Sequence, residues 1–152
     1  SGEKSHSKLG VDQTGQFSLN FPNTALMAKA DYCGTASGHK VDKASLFTIF
    51  TDPEALPELP LIEDCPVNLA CEVVEHVILE HRNIFIGRVI QTYVDEDCFV
   101  EVDGKRHLAD LTVLDPLIYA LDNRYYKIGD PIGTGYQEGK AISAPSSDEA
   151  AN

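Results

Sequence analysis

Several features are missing from this chain of 152 residues, and each absence argues against a class of protein. Its four cysteines include no Cys-x-x-Cys pair, which argues against a zinc site and a thioredoxin-like redox motif. No apolar run approaches the roughly 18–20 residues that span a bilayer, and no signal-peptide pattern opens the chain. Basic residues are scarce, 12 against 24 acidic ones, and the net charge of −12 disfavours binding to nucleic-acid backbones or anionic membranes.

The rest of the composition is that of a soluble globular domain. Hydrophobic residues make up 43% of the chain and charged residues 24%, and the length suits one domain with a sizeable core. A disulfide framework is improbable in a domain of this size with an adequate core, which favours reduced thiols, so we expect a cytoplasmic protein. We predict one domain over residues 1–140, followed by a small acidic tail over residues 141–152 that we expect to be disordered.

Alternating and β-branched segments predict a mainly β fold. Phe17, Leu19 and Phe21 fall on one face of a predicted strand that ends at Pro22. A short helix over 24–30 and an extended, proline-rich connection over 51–60 are also predicted. Further strands are expected over 67–79, over 84–94 (a more buried strand), and on both sides of the Asp103-Gly104 hairpin signal. Because no βαβ alternation appears, an antiparallel barrel or sandwich is favoured over a doubly wound sheet.

Several motif-like patterns do not support a specific chemistry. Gly133-x-Gly135-x-x-x-Gly139 has the wrong spacing for a dinucleotide fingerprint and lacks a surrounding βαβ unit. His76 and His81 lie five residues apart, which fits neither one helix face nor one strand face, so no metal site is predicted. No serine lies in a nucleophile elbow, and the catalytic residues remain unassigned.

The segment Asp31–Lys43 is the most informative part of the chain. It reads Asp-Tyr-Cys-Gly-Thr-Ala-Ser-Gly-His-Lys-Val-Asp-Lys and lies between two patterned apolar regions. Its two glycines let the main chain approach a ligand closely. Composition alone nevertheless favours a solvated turn region over a binding loop.

Motifs along the chain resemble those of the flavin reductase-like, flavoredoxin-type FMN-binding proteins. Asp-Tyr-Cys-Gly followed by Ser-Gly-x-Lys-Val-Asp-Lys is similar to the family's signature in the middle of the domain. The resemblance extends in order from about Ser5 to Lys140. It includes the segments Gln13–Pro22, Pro60–Glu72, Phe85–Val89, Val94–Glu96 and Tyr125–Gly129.

This resemblance implies a fold, a cofactor and an activity. The implied fold is a split β-barrel with Greek-key connections and short helices. The implied assembly is a homodimer that binds FMN, with FAD as the alternative. Family members pass electrons between NAD(P)H, flavin and an acceptor. The resemblance places seven residues at the cofactor. It also places His81 on the nicotinamide side, one position out of register, and an exposed hairpin histidine is the alternative for that residue. The seven are Ser5, His6 and Ser7 at the phosphate, and Ser37, Gly38, Lys40 and Lys43 beside the isoalloxazine or phosphate.

The chain also departs from the family's pattern. It contains no tryptophan, whereas the family has an Asn-x-x-Thr/Ser-x-Ser/Ala-Trp segment in its first strands, and the phosphate-site arginine is absent too. Those N-terminal strands have no counterpart here, so either a partner chain completes the barrel, the chain rearranges, or the sequence is missing its front. An alternative function follows, a non-catalytic split-barrel binding or assembly protein that has lost part of the flavin site. A third alternative is a β-barrel interaction domain whose resemblance is coincidental.

Overall fold

The computed structural model describes residues 6–80, 82–108 and 111–142. Three helices occur in this part of the chain: α1 (His6–Thr14), α2 (Met27–Thr35) and α3 (Leu111–Leu114). Short 3-10 turns cover Thr24–Leu26, Ala44–Leu46, Glu96–Cys98 and Glu138–Ala141. The strands are β1 (Gln16–Phe21), β2 (Ile49–Asp52), β3 (Leu56–Ile62), β4 (Val67–Leu79), β5 (Arg82–Val94), β6 (Phe99–Val102), β7 (Lys105–Leu108), β8 (Ile118–Tyr119) and β9 (Tyr125–Tyr126).

Strand β4 is the centre of the largest sheet. It pairs antiparallel with β1 on one side and with β5 on the other, so that the strand order is β1-β4-β5. Two register shifts interrupt the long β4–β5 hairpin, between Ala70 and Cys71 and between Val73 and Glu75. Such bulges bend and twist a ribbon, which lets a sheet curve toward a barrel. Strands β2 and β3, β6 and β7, and β8 and β9 form three further antiparallel pairs.

The core lies between β3 and the inner part of β4. Leu59, Leu61 and Ala70 are buried together, and Tyr93 of β5 packs against them. The side chain of Asn20 joins the two sheets, because its Oδ1 accepts a hydrogen bond of 3.0 Å from the Ile62 backbone N–H. The proline-bearing stretch that contains β3 therefore supplies core residues.

A glycine in β5 allows β1 to pack across the main sheet. A Cβ placed on Gly87 would lie 2.4 Å from Cζ and 2.7 Å from Cε1 of Phe17, and 3.4 Å from Cβ of Cys71. No side chain fits in that space, so the aromatic ring lies directly over the Gly87 backbone. This contact gives a structural reason for the glycine in the Phe-Ile-Gly segment of β5.

Hydrogen bonds hold the segment around Asp115 and Leu117 beside the residues that precede α2. Leu117 N–H donates to Pro22 O at 3.0 Å and Thr24 N–H donates to Asp115 O at 3.0 Å. The Thr24 hydroxyl also donates to the Asp115 carboxylate. These bonds bring β8 and β9 close to α2, although the sequence separation is about ninety residues.

Several predicted elements are confirmed. Strand β1 ends before Pro22, β4 spans the predicted 67–79, and β5 covers the predicted 84–94. Asp103 and Gly104 have φ angles of 52° and 70°, the left-handed pair that a two-residue hairpin turn between right-twisted strands requires.

Other details differ from the predictions, each for a physical reason. The predicted helix 24–30 begins as a 3-10 turn, and α2 continues to Thr35, so the first part of the Asp31–Lys43 segment is helical. The predicted connection 51–60 contains the end of β2 and much of β3, because Pro57 and Pro60 are tolerated on a strand that pairs with β2 only. Strand β5 is mostly exposed, since its aliphatic outer positions have no covering element among the described residues. Helix α1 was not predicted.

The predicted tail falls almost entirely on residues 143–152, outside the described residues, and its disorder stays a prediction. Of the helices described here, none has both the length and the apolar character needed to cross a bilayer.

Candidate functional site

A cavity of about 720 Å³ lies between the start of α1 and the loop that follows α2. Two segments line it, although about thirty residues separate them in the sequence. The lining residues are His6, Ser7 and the continuous run Ala36–Ala44.

Serine and aspartate fold the loop through local hydrogen bonds. Ser37 O accepts from the N–H groups of Lys40 and Val41 at 2.9 and 3.2 Å, and Ser37 Oγ accepts from His39 N–H at 3.3 Å. Such side-chain and main-chain bonds replace a helix continuation with a tight turn. Further along, Asp42 Oδ1 accepts from Ala44 N–H at 3.0 Å and starts the 3-10 turn Ala44–Leu46.

A glycine brings α1 onto this loop. A Cβ on Gly38 would lie 3.1 Å from Cβ of His6, tighter than an ordinary carbon contact. The His6 ring meets the His39 ring edge to face, with 5.5 Å between ring centroids and an interplanar angle of 82°. The first residue of α1 is therefore seated on the glycine of the Ser-Gly pair.

The cavity is locally cationic in a strongly acidic chain. Among the described residues that line it, Lys40 and Lys43 lie with His6 and His39, and Asp42 is the one carboxylate, whereas the whole chain carries a net charge of −12. The Asp42 carboxylate already accepts the Ala44 N–H. These residues form a surface suited to an anion with several oxygen acceptors.

Lys43 is held in place by the C-terminal end of α2. Its Nζ donates to Cys33 O at 2.5 Å, and the side chain is partly buried. Carbonyls in the last turn of a helix lack intrahelical partners and attract cations. An ammonium group has three donors, so this contact orients Lys43 while leaving donor capacity for a ligand.

The beginning of the Asp31–Lys43 segment is tied to β9. The hydroxyl of Tyr125 donates to Asp31 Oδ1 at 3.0 Å. This bond to the carboxylate raises the pKa of Tyr125, with desolvation as the second cause. The predicted Tyr125–Gly129 motif thus contacts the predicted loop motif.

Six of the seven residues placed at the cofactor by resemblance line this one cavity: His6, Ser7, Ser37, Gly38, Lys40 and Lys43. Ser5 and His81 lie outside the described residues, and their roles stay predictions. His39 was missed as a candidate. Its position between Gly38 and Lys40 was the available signal, but the motif leaves that position open.

The β4–β5 hairpin also approaches α1. His76 and Phe85 face each other across β4 and β5, with ring centroids 4.3 Å apart in a stacked arrangement. The Lys8 ammonium lies 5.5 Å from the centroid of the Phe85 ring. Helix α1 therefore connects the cavity to the β4–β5 hairpin.

Comparison with known proteins defines the class to which this fold and cavity belong. The family model described as "Flavin reductase like domain" matches residues 2–129, and the chain belongs to that family. The crystal structure of flavoredoxin from Methanosarcina acetivorans is similar, with 36% identity and a TM-score of 0.79, covering 91% of this chain and 71% of that one. Flavoredoxin of Desulfovibrio vulgaris (Miyazaki F) has 27% identity and a TM-score of 0.75, covering 91% and 73%.

These structures confirm the split-barrel fold and the family resemblance. Among curated sequences, an uncharacterised protein from Deinococcus radiodurans is 25% identical over 114 residues, covering 75% of this chain and 49% of that protein. The chain spans about half the length of the curated relatives it matches, 49% and 45%.

Proposed function

We propose that this chain binds FMN in the cavity between α1 and the Ala36–Ala44 loop and transfers electrons between NAD(P)H, the flavin and an acceptor. The observation that carries this proposal is the convergence of His6 and Ser7 with the Ser37–Lys43 part of the loop in one cavity. The family membership supports the same cofactor class.

The donors present fit a flavin phosphate. Ser7 and Ser37 offer hydroxyl groups, and Lys40 and Lys43 offer ammonium groups to an anion that accepts several charge-assisted hydrogen bonds. Gly38 leaves a concave surface whose depth a side chain would reduce. This donor set replaces the arginine that the family pattern places near the phosphate.

The bound flavin would supply the hydride and electron chemistry, as in other flavoproteins. The residues of this chain would bind and orient it. Lys43, held by Cys33 O, would fix the anionic end, and the Ser37 turn would hold the loop in one conformation.

A titration of the purified chain with FMN, followed by flavin fluorescence and absorbance, tests the binding. Lys43→Met removes one charge-assisted contact and is expected to weaken binding about tenfold, the size of a hydrogen bond to a charged group. Lys105→Met is the matched control, because it makes the same charge change on an exposed strand, β7, outside the cavity. If both variants bind FMN equally, the cavity is not the phosphate site.

Redox activity needs a separate measurement. We expect NAD(P)H oxidation with added FMN to exceed the rate with free flavin alone, and the dependence on NADH or NADPH to identify the donor. Binding of FMN without such turnover would favour the second candidate, a non-catalytic binding or assembly module. The exposed isoleucine and valine side chains of the β4–β5 hairpin are the observation that favours that alternative.

We further propose a homodimer whose interface includes the β4–β5 hairpin. Ile78, Ile84, Ile86, Val89 and Ile90 of this hairpin are between 40% and 74% exposed. Strand alternation places Ile84 and Ile86 on one face of β5. Exposed apolar side chains grouped on one face mark an interaction site. Sedimentation should give a dimer, and the double change Ile84→Lys and Ile86→Lys should give a monomer. Val102→Lys, on an equally exposed β6 residue, should leave the dimer intact.

A cytoplasmic location is proposed on the basis of thiol chemistry. All four cysteines are free in the fold. Thiols persist in the reducing environment of the cytoplasm. Localisation of the tagged native protein by cell fractionation would test this.

A further inference from the structure

A second cavity, of about 260 Å³, lies where β2, β4 and the end of β5 meet. None of its lining residues belongs to the cavity assigned to the flavin, so cofactor binding does not account for its composition. The lining residues are Phe50, Glu63, Asn68, Tyr93, Val94 and Asp95.

One buried oxygen at this cavity lacks a hydrogen-bond donor. Asn68 is only 3% exposed, and its Nδ2 donates to Cys65 O at 2.9 Å. Its Oδ1 has no hydrogen-bond partner in the described part of the chain. A buried acceptor of this kind is unfavourable unless a donor reaches it, so the site calls for an N–H or O–H group.

Two carboxylates line the same cavity as Asn68, with no opposite charge in contact among the described residues. Across the described ranges, no hydrogen bond or ion pair engages the side chains of Glu63 and Asp95. Asp95 occupies the N-cap position of the 3-10 turn Glu96–Cys98, yet its side chain caps nothing. Partial burial raises the pKa of Asp95, and the neighbouring charges of Asp97 and Glu63 raise it further. A positive charge in the cavity would relieve this repulsion.

An aromatic pair forms the third part of the lining. Phe50 and Tyr93 meet edge to face, with ring centroids 5.4 Å apart and an interplanar angle of 83°. The Tyr93 hydroxyl donates to Asp52 Oδ2 at 2.6 Å, which fixes the ring in place. Aromatic rings attract cations and also accommodate the alkyl chain attached to one.

We propose that this cavity binds the primary ammonium group of an alkylamine. Its three N–H donors match three acceptors, the carboxylates of Glu63 and Asp95 and the amide oxygen of Asn68. A divalent metal ion is disfavoured, because the described residues contain no cluster of three histidine, cysteine or acidic side chains able to hold one. Because Asn68 Oδ1 is almost fully covered, its hydrogen bond to the ammonium requires the side chain to move.

The test is an NMR titration of the full chain without flavin, at low ionic strength, with n-butylammonium as the probe and n-butanol as the uncharged control. Butylammonium should bind saturably and shift the side-chain amide signal of Asn68, and butanol should not. Glu63→Gln and Asp95→Asn should each weaken binding about tenfold, as expected for loss of a charge-assisted hydrogen bond. Glu58→Gln, an exposed β3 residue outside the cavity, makes the same charge change and should bind like the wild type.

The outcome separates specific binding from general attraction to an acidic protein. Equal weakening by Glu58→Gln, or undiminished binding to the Glu63→Gln and Asp95→Asn double variant, would overturn the proposal. Displacement of butylammonium by an equal concentration of Mg²⁺ or Ca²⁺ would also overturn it, by assigning the carboxylates to a metal. If the natural ammonium group belongs to a protein, a lysine-containing peptide with blocked termini should compete with butylammonium. If the natural ligand is a small metabolite, a free polyamine should compete and the peptide should not. The experiment does not depend on FMN, so its result is independent of the proposed oxidoreductase function.

Discussion

Gly87→Ala should destabilise the fold through one identifiable contact. The added methyl group would lie 2.4 Å and 2.7 Å from two ring carbons of Phe17, whereas carbon atoms in contact are about 3.5–4.0 Å apart. The ring must therefore move by about 1 Å, or β1 must shift along β4. Gly87 has no positive φ, so alanine meets no backbone strain there, and the steric effect stands alone.

The magnitude follows from two opposing effects. Overpacking a well-packed region costs about 1–3 kcal/mol of the free energy of unfolding. Replacing glycine by alanine in a strand raises the free energy of unfolding by about 0.5–1 kcal/mol, because alanine loses less backbone entropy on folding. We expect a net loss of about 1–2 kcal/mol, or a fall in Tm of about 2–8 °C for a chain of this size.

Urea unfolding followed by circular dichroism, without flavin, measures this difference free of ligand effects. Gly129→Ala is the matched control, because a Cβ there meets nothing within 4 Å. The double variant Phe17→Leu and Gly87→Ala should be more stable than the sum of the two single changes predicts. Equal unfolding midpoints for Gly87→Ala and the wild type would refute the packing of Phe17 on Gly87.

Three further predictions concern other parts of the molecule. The hydrogen bond from Tyr93 lowers the pKa of Asp52 below its ordinary 3.8, while desolvation and then that bond raise the pKa of Tyr93 from 10.0 to about 12. Because the pKa of Asp52 is lowered in the fold, this carboxylate stabilises the fold at pH values above its unfolded pKa, and the stabilisation is lost in acid. Because the pKa of Tyr93 is raised in the fold, this hydroxyl stabilises the fold below pH 10, and the stabilisation is lost as the pH rises toward 12. Tyr93→Phe should therefore flatten both limbs of a Tm profile against pH, and an unchanged profile would contradict the pair. Iodoacetamide should label the partly exposed Cys33 before the buried cysteines, as measured by mass spectrometry. Burial is the main cause that raises the pKa of Cys65 to about 11, and the charges of Asp64 and Asp95 add to it, so little reactive thiolate forms there. Gly104→Val should cost about 1 kcal/mol of unfolding free energy, because valine is strained at a φ of 70°, and an unaltered urea midpoint would argue against that turn.

Local signals explain which parts of the fold could be predicted from the sequence. The alternation of apolar and polar residues before Pro22 predicted β1, and the Asp103-Gly104 pair predicted the β6–β7 hairpin. Both signals depend on neighbouring residues only. Helix α1 gave no such signal, since none of its residues is buried and its first residue is seated on Gly38, far along the chain. The aliphatic content of β5 predicted burial, but burial depends on what covers a strand, and sequence periodicity does not report that.

The same limit applies to the candidate site. Its loop residues could be grouped because they are contiguous, and the N-terminal residues only because they resemble a family motif. Nothing in the spacing of His6 and Gly38 indicates their contact, which depends on the missing Cβ of a glycine. His39 could not be predicted as a site residue, because it joins the site through a ring contact with His6, about thirty residues away in the sequence.

The two cavities also show why net charge is a weak guide to ligand binding. The chain carries a charge of −12, yet the described residues that line the first cavity include two lysines and two histidines, from the loop after α2 and the start of α1, with one carboxylate. The cavity at Tyr93 instead concentrates Glu63 and Asp95 beside an amide oxygen without a donor. Screening limits charge effects to about 8 Å at physiological ionic strength, so the side chains lining each cavity decide which ion it attracts. The two proposals therefore assign an anion to one cavity and a cation to the other, because the fold rather than the composition sets the local field.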